Sequence, residues 1–336
     1  MADAEDLDKA RGLVSSADTV SRAYKKVISY IGNHFHDGSC PYIAGHAPST
    51  EATAWCAMAL RNANQATVMG HAVAWLVSTQ NKDGGWSTAP GAGRSDWTSG
   101  PATLALRVIT SDDGDGGTGS NSQRAATQRS IERALAYMFD SRTEFYGSLA
   151  RLLLFAYKGA SGLDYSRGWP WTRDCYHWIE PTVYALLALK LPSRLNSGLY
   201  DEIIGRAEQF IIENECKGGG WNHGNMYCLK FYLPAFVVTT SEALLALQET
   251  PESVGVKSAL DFLVRKEPTD FTAMEYAWSI LALNAHGKST DKLVNSLVSH
   301  QNADGSFGLN LMVTALATLA IETAVTNRNP LKYKTV

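Results

Sequence analysis

The sequence predicts an all-α fold, an α/α toroid of about six inner and six outer helices around a central cavity. One apolar segment recurs six times along the 336 residues, and amphipathic segments of helix length separate the copies. No Pro/Ser/Gly-rich linker divides the chain into two cores. We therefore expect a flexible N-terminal segment at 1–17, followed by a single toroid domain at 18–330.

The predicted inner helices are the recurring segments, each of which closes on Ala-Leu or a close variant. Each copy is apolar nearly all round and rich in small residues, which is typical of a helix packed on both sides. A hydroxyl recurs seven residues before the end of every copy. The copies end at Leu60, Leu106, Leu189, Leu247, Leu283 and Ile321, and the hydroxyls belong to Thr53, Ser99, Thr182, Thr240, Tyr276 and Thr314.

The predicted outer helices are the amphipathic segments at 18–34, 66–80, 123–138, 200–214, 253–265 and 290–300. Several end in a Gly-rich turn that carries an aromatic residue, as in QNKDGGW (Gln80 to Trp86), CKGGGW (Cys216 to Trp221) and QNADGSF (Gln301 to Phe307). Glycine allows the positive φ that ends a helix. The Gln side chain can bind the backbone groups that a helix end leaves free.

Charge and composition exclude several classes of partner. The net charge is -3, the pI is about 6.2 and no dense Lys/Arg run is present, so nucleic acid is not an expected partner. The N-terminus lacks the pattern of a secretion signal, and no apolar run is long enough to cross a bilayer. Five widely spaced cysteines fit a reducing compartment. We expect a cytoplasmic protein for which peripheral contact with a membrane is possible.

The Gln-x5-Trp turns in this helical spacing resemble the QW repeats of squalene–hopene and oxidosqualene cyclases, whose fold is shared by the β subunits of protein prenyltransferases. The resemblance covers roughly residues 40 to 325. In class II terpene cyclases, the middle Asp of a DxDDTA motif protonates an alkene or an epoxide. The resemblance places this acid on Glu180 in WIEPTV, and Glu51 in STEATA has the same register in the first copy. The flanking aspartates of the motif are not matched.

Candidate site residues are densest in RGWPWTRDCYHWIEPT, residues 167–182. The predicted catalytic residues are Glu180, His177, Asp174 and Glu51. Aromatic faces stabilise carbocations through the ring quadrupole. The aromatic side chains predicted to surround the substrate are Trp55, Trp97, Trp171, Tyr176, Trp178, Tyr184 and Trp278. The same aromatics could equally pack at a helix entrance.

The sequence predicts no metal site and no cofactor. RDCYH resembles the stretch of prenyltransferase β subunits that supplies a zinc-binding His, but Pro181 stands at the register of that His and Thr98 at the register of the Cys ligand. Cys216, His223 and Cys228 match no standard zinc spacing. The Asp-rich stretch 111–122 lacks the closing Glu of an EF-hand loop.

Three functions follow from these patterns. The resemblance implies an acid-initiated cyclisation of an apolar isoprenoid in the central cavity, with Glu180 as the proton donor. A second hypothesis is a glycan-processing enzyme, because α/α toroids also serve glycosidases and lyases that use carboxylate pairs. A third is a non-catalytic binding module for a lipid, a peptide or a protein, since helical repeats form concave surfaces.

Overall fold

The computed structural model describes residues 4–63, 65–112, 120–141, 167–173, 175–192, 195, 198–266 and 271–333. The helices are α1 (Ala4–Asn33), α2 (Thr50–Leu60), α3 (Ala66–Ser78), α4 (Ser99–Asp112), α5 (Asn121–Asp140), α6 (Ile179–Lys190), α7 (Gly198–Glu213), α8 (Val237–Ala246), α9 (Val254–Arg265), α10 (Ala273–Ala285), α11 (Asp291–Ser299) and α12 (Leu311–Thr326). Strand β1 (Trp169–Pro170) pairs antiparallel with β2 (His177–Trp178), and β3 (Tyr227–Cys228) pairs antiparallel with β4 (Phe231–Tyr232).

The even-numbered helices form a closed inner ring. Each contacts the next even-numbered helix, and α12 returns to contact α2. Each odd-numbered helix packs outside this ring on the even-numbered helix before it, and α1 packs on α12. Within the described residues, this arrangement confirms the α/α toroid of six inner and six outer helices. The first outer helix begins at Ala4, which corrects its predicted start at residue 18.

The inner helices are buried between the ring interior and the outer layer. Every residue of α2 and of α6 is buried. The all-round apolar pattern of these segments follows from this double packing. Their N-termini share one end of the ring, here called the mouth, and their C-termini share the other end, here called the base. No described helix is both long and apolar enough to cross a membrane.

In five of the inner helices, the recurring hydroxyl joins the helix to the chain segment that leads into it. Thr182 Oγ1 accepts a hydrogen bond from the backbone N–H of Trp169 at 2.9 Å and donates one to the carbonyl of Trp178 at 2.7 Å. Thr240 accepts from the N–H of Trp221 at 2.9 Å in the same way. Equivalent bonds from backbone N–H groups reach Thr53, Ser99 and Thr314. Each hydroxyl therefore satisfies backbone groups that would otherwise be buried unpaired.

The Gly-rich turns connect neighbouring repeats. The amide of Gln80 donates to the carbonyl of Gly84 in its own turn at 2.7 Å and to the carbonyl of Ser130 in α5 at 2.8 Å. The buried Trp86 indole donates to the carbonyl of Leu76 near the end of α3 at 2.8 Å. Gly84 has a φ of 97°, and an added Cβ would lie 2.4 Å from the carbonyl oxygen of Arg133. The turn thus requires glycine there.

An ion pair at the base closes the ring between its first and last inner helices. The guanidinium of Arg61, which follows α2, donates to both carboxylate oxygens of Glu322 in α12, at 3.0 and 2.9 Å. Both side chains are buried, and Asn62 also donates to Glu322. Both hydrogen bonds of this bidentate pair are charge-assisted, so they are stronger than hydrogen bonds between neutral groups.

Candidate active site

Two layers of side chains, one helical turn apart, face the ring axis. Counted nine residues before the repeat ends, the mouth layer consists of Glu51, Trp97, Glu180, Val238, Met274 and Met312. Counted five residues before those ends, the inner layer consists of Trp55, Pro101, Tyr184, Glu242, Trp278 and Leu316. Trp97, Val238 and Met274 of the mouth layer are only half-buried. The mouth layer is therefore the first that an incoming ligand would reach.

Three aromatic side chains meet in the inner layer. The ring centroids of Trp55 and Trp278 lie 5.4 Å apart in a T-shaped arrangement. The ring of Tyr184 lies 6.3 Å from Trp55 and 6.5 Å from Trp278. All three side chains are buried. Since they come from α2, α6 and α10, they fill the ring axis from three sides and form an apolar floor below the mouth.

An aromatic path leads from this floor toward the surface. Trp97 stacks on Tyr184 at 5.9 Å, and Trp171 meets Trp97 edge-on at 4.8 Å. A small cleft between α4 and α6 is lined by both tryptophans, together with Trp169 and Arg173. The structure therefore brings five of the seven predicted aromatics together: Trp55, Trp97, Trp171, Tyr184 and Trp278.

Glu180 lies at the start of α6 with its two carboxyl oxygens in different environments. Oε1 accepts hydrogen bonds from Nδ1 of His223 and from the hydroxyl of Thr239, the latter at 3.1 Å. Oε2 is buried and has no hydrogen-bond partner among the described residues. One oxygen is thus held in place, and the other makes no hydrogen bond to a described residue that a ligand would have to replace.

The histidine beside Glu180 is one that the sequence did not select. His223 lies at the base of the β3–β4 hairpin, is half-exposed, and packs between Trp178 at 5.8 Å and Phe236 at 5.1 Å. The predicted His177 lies in β2, where its ring meets Phe210 of the outer helix α7 edge-on at 6.1 Å. Asp174 lies outside the described residues. Tyr176 is largely exposed at the mouth.

Glu51 is a second buried carboxyl in the mouth layer. The phenol of Tyr42 donates a hydrogen bond to its Oε2. Burial raises the pKa of Glu51 from 4.5 to about 7, although the hydrogen bond from Tyr42 partly opposes this rise. The Trp55 indole also favours the ionised form, but its N–H makes no hydrogen bond of normal geometry. Near neutral pH, Glu51 is therefore protonated in a large fraction of molecules.

Glu242 is a third acid, which the sequence reasoning missed. It lies in the inner layer on α8, fully buried, and its Oε1 accepts a hydrogen bond from the phenol of Tyr184 at 2.8 Å. Its Oε2 has no partner in the described part of the chain. Burial raises the pKa of Glu242 well above its usual range, and the charge of Glu180 adds to this rise. Its register could have revealed it, because Glu242 lies five residues before the end of its repeat, as Trp55 and Trp278 do in theirs.

The described residues contain no group of three or more His, Cys, Asp or Glu side chains placed to hold a metal ion. His223 belongs to the acid site, whereas Cys216 is buried and hydrogen-bonded through its backbone to the Gly-rich turn. The chemistry that this arrangement itself offers is proton donation from a buried carboxyl into an aromatic environment.

Comparison with known proteins identifies relatives in structure alone. No family model and no curated protein matches the chain. MstE, a type II terpene cyclase from Scytonema, was solved with its product merosterolic acid A, and this structure matches with a TM-score of 0.59 at 15% identity, covering 93% of this chain and 99% of that chain. An alpha-amylase from Clostridium perfringens matches with a TM-score of 0.63 at 14% identity, covering 90% and 97%. The chain therefore has a terpene cyclase-like α/α-toroid fold over nearly its whole length.

Proposed function

We propose that this protein catalyses the acid-initiated, class II type cyclisation of an apolar isoprenoid, with Glu180 as the proton donor. The observation that carries the proposal is the asymmetry of the Glu180 carboxyl. Its Oε1 is held by His223 and Thr239, while its buried Oε2 has no hydrogen-bond partner among the described residues and lies in the layer above the aromatic floor. A neutral acid with this geometry can hold its proton on Oε2, facing the substrate.

The first step transfers the Oε2 proton to one carbon of an alkene, whose π electron pair forms the new C–H bond. The adjacent carbon becomes a cation, which the next double bond of the substrate attacks. The hydrogen bonds from His223 and Thr239 strengthen as Glu180 becomes a carboxylate, so they favour the transfer. The last cation loses a proton to solvent, and solvent reprotonates Glu180.

The surroundings of Glu180 favour a cationic reaction over a polar one. The faces of Trp97 and of the inner-layer aromatics can stabilise positive charge by about 0.5–2 kcal/mol per ring. Burial raises the pKa of Glu51 to about 7 and the pKa of Glu242 well above its usual range, so both carboxyls favour the neutral form more than exposed acids do. The interior thus offers acids and aromatic faces with less negative charge than exposed carboxylates would carry.

Two solved structures of MstE support the choice of substrate class. MstE was also solved with geranylgeranyl dihydroxybenzoate as substrate, and that structure matches with a TM-score of 0.60 at 14% identity. The match covers 99% of the MstE chain, so MstE is a type II terpene cyclase whose whole chain corresponds to the toroid described above. We therefore place prenylated aromatics and prenyl diphosphates first among the substrates to be tested.

A glycan-processing enzyme is the second candidate, because the alpha-amylase match has a TM-score of 0.63. Glu51 and Glu180 in the mouth layer would supply its carboxylate pair. The buried aromatic floor argues against it, since sugar-binding aromatics need an open groove to stack on a polar ring. Release of reducing ends from starch or maltooligosaccharides would favour this second function.

The test measures conversion of an isoprenoid panel by liquid chromatography and mass spectrometry, because cyclisation changes retention without changing mass. We expect Glu180→Gln to lower turnover by about 100-fold or more, as the amide cannot donate the initiating proton. Glu252→Gln is the matched control, since Glu252 is an exposed carboxylate paired with Lys257. Wild-type turnover in the Glu180→Gln variant would exclude Glu180 as the donor, and binding without conversion by the wild type would support a binding module.

A further inference from the structure

The β3–β4 hairpin, residues 226–232, presents apolar side chains to solvent at the mouth. Leu229 is 86% exposed, Phe231 71%, Tyr232 60% and Tyr227 53%. Single exposed apolar residues are common on protein surfaces, but four in one short hairpin form an apolar patch that covers both of its faces. We call this patch the mouth hairpin. Patches of this kind mark surfaces that contact another apolar phase or partner.

The backbone of the mouth hairpin shows that its tip residues are not ordinary turn residues. Leu229 and Lys230 join the two strands, and both have positive φ, 49° and 70°. A two-residue hairpin turn with two positive φ angles is normally built from Asn-Gly, because the Cβ of most other residues crowds the following carbonyl oxygen in this conformation. Leu229 and Lys230 stand at the tip despite this strain, which points to a use for their side chains.

The hairpin is held rigidly at its base, so the tip projects as a preformed element. Asn222 is buried there and donates to the carbonyls of Asn225 at 3.1 Å and Pro234 at 3.2 Å. Its Oδ1 accepts from the N–H of Gly224 at 3.1 Å. The rings of Tyr227 and Tyr232 pack side by side across the strands at 5.0 Å.

Charge distinguishes a lipid surface from other occupants of this patch. The sequence from 216 to 241 contains no Asp or Glu, whereas Lys230 stands at the tip and the Lys217 ammonium lies 4.7 Å from the centroid of the Tyr232 ring. Leu and Phe that enter the acyl boundary, Tyr at headgroup level and Lys near the phosphates are the pattern of an interfacial anchor. Ile43, Tyr176 and Leu309 add exposed apolar groups in other loops of the same mouth.

We propose that the mouth hairpin inserts into the interfacial layer of a phospholipid bilayer that carries anionic headgroups. The toroid then sits with its mouth against the membrane, and an apolar ligand can pass from the bilayer to the aromatic floor without crossing water. Because His223 at the base of the same hairpin contacts Glu180, the membrane-facing element also shapes the acid site.

The test is co-sedimentation of the purified protein with vesicles of phosphatidylcholine alone and of phosphatidylcholine with 30% phosphatidylglycerol. The hairpin variant carries Leu229→Asp and Phe231→Asp. The matched control is Val254→Asp, because Val254 is 82% exposed at the start of the outer helix α9, away from the mouth hairpin. We expect the wild type and the control to bind the anionic vesicles, and the hairpin variant to bind at least tenfold more weakly.

Two results would overturn the proposal: a hairpin variant that binds as tightly as the wild type, or a wild type that sediments with neither vesicle. In the second case, a wild-type dimer that the hairpin variant dissociates would identify the patch as a contact between two copies of the chain. Thermal unfolding checks that the variant is folded, as expected for two exposed residues. Turnover on detergent-dispersed substrate separates this proposal from the proposed function, because the hairpin variant keeps that turnover and loses vesicle binding.

Discussion

Replacement of Glu51 by glutamine tests the environment of the mouth layer quantitatively. The amide keeps the size of the side chain and can still accept the hydrogen bond from Tyr42, but it cannot ionise. Burial raises the pKa of Glu51 from 4.5 to about 7 in the folded protein. In the unfolded chain, the carboxyl returns to its ordinary value near 4.5.

The sign of the effect follows from which state binds the proton more tightly. Below about pH 4.5 Glu51 is neutral in both states, so its contribution to stability is fully present. Between about pH 4.5 and 7 the unfolded chain ionises first, and the free energy of unfolding falls as pH rises. Above about pH 7 both states are ionised and the loss is complete. A pKa difference of this size corresponds to about 3 kcal/mol.

Urea denaturation followed by circular dichroism, at several pH values from 4.5 to 8, measures this effect. The quantity of interest is the free energy of unfolding of the wild type minus that of Glu51→Gln, in which the titration of all other groups cancels. We expect this difference to fall by about 3 kcal/mol across the range. In Tyr42→Phe the fall should extend to higher pH, because the phenol that favours the carboxylate is gone. Parallel curves for the wild type and Glu51→Gln would refute the reasoning.

Two further substitutions test buried contacts by the same denaturation assay. Arg61→Ala should destabilise the fold by about 3–5 kcal/mol, because it leaves the carboxylate of Glu322 buried without its cation. Adding Glu322→Met should recover most of that loss, and a double variant no more stable than Arg61→Ala would contradict this account. Tyr184→Phe should cost about 1–3 kcal/mol, because Glu242 loses the donor to its Oε1 while no described residue donates to its Oε2. A cost below about 0.5 kcal/mol would show that water satisfies Glu242 instead.

The sequence was sufficient for the fold because the toroid repeats the same packing problem six times. An apolar segment packed on both sides and an amphipathic segment beside it can be recognised in any one copy, and repetition removes most of the ambiguity. The alignment of the repeats showed that a hydroxyl recurs at one position, but it did not show that this hydroxyl binds a backbone N–H group. Thr182 and Thr240 bind residues 13 and 19 positions earlier in the chain, and such variable loop lengths conceal the common contact.

The candidate site was predictable only where a helix register determines it. Glu51, Glu180 and the inner-layer aromatics follow from alignment of the copies, and the same alignment read one turn deeper would have reached Glu242. His223 could not be found in this way, because it reaches Glu180 from a loop 43 residues later whose path over the mouth depends on the β3–β4 hairpin. The sequence selected His177 as a catalytic residue, and in the structure β2 directs its ring toward Phe210 of α7.

The parallel arrangement of the inner helices gives a reason why Glu180 in the mouth layer, rather than Glu242 in the inner layer, should donate the proton. Six helix N-termini at the mouth create a positive field that favours the carboxylate left on Glu180 after proton transfer, and this field fades within the first turn. Glu242 lies one turn deeper, so it gains less from the field, and burial raises its pKa well above its usual range. At the opposite end, Arg61 and Lys190 donate to the carbonyls of Met58 and Ala246, at 2.9 and 3.0 Å, and offset the negative helix termini there. Glu180 therefore combines a position in the first turn of an inner helix with a carboxyl oxygen that accepts no hydrogen bond from a described residue.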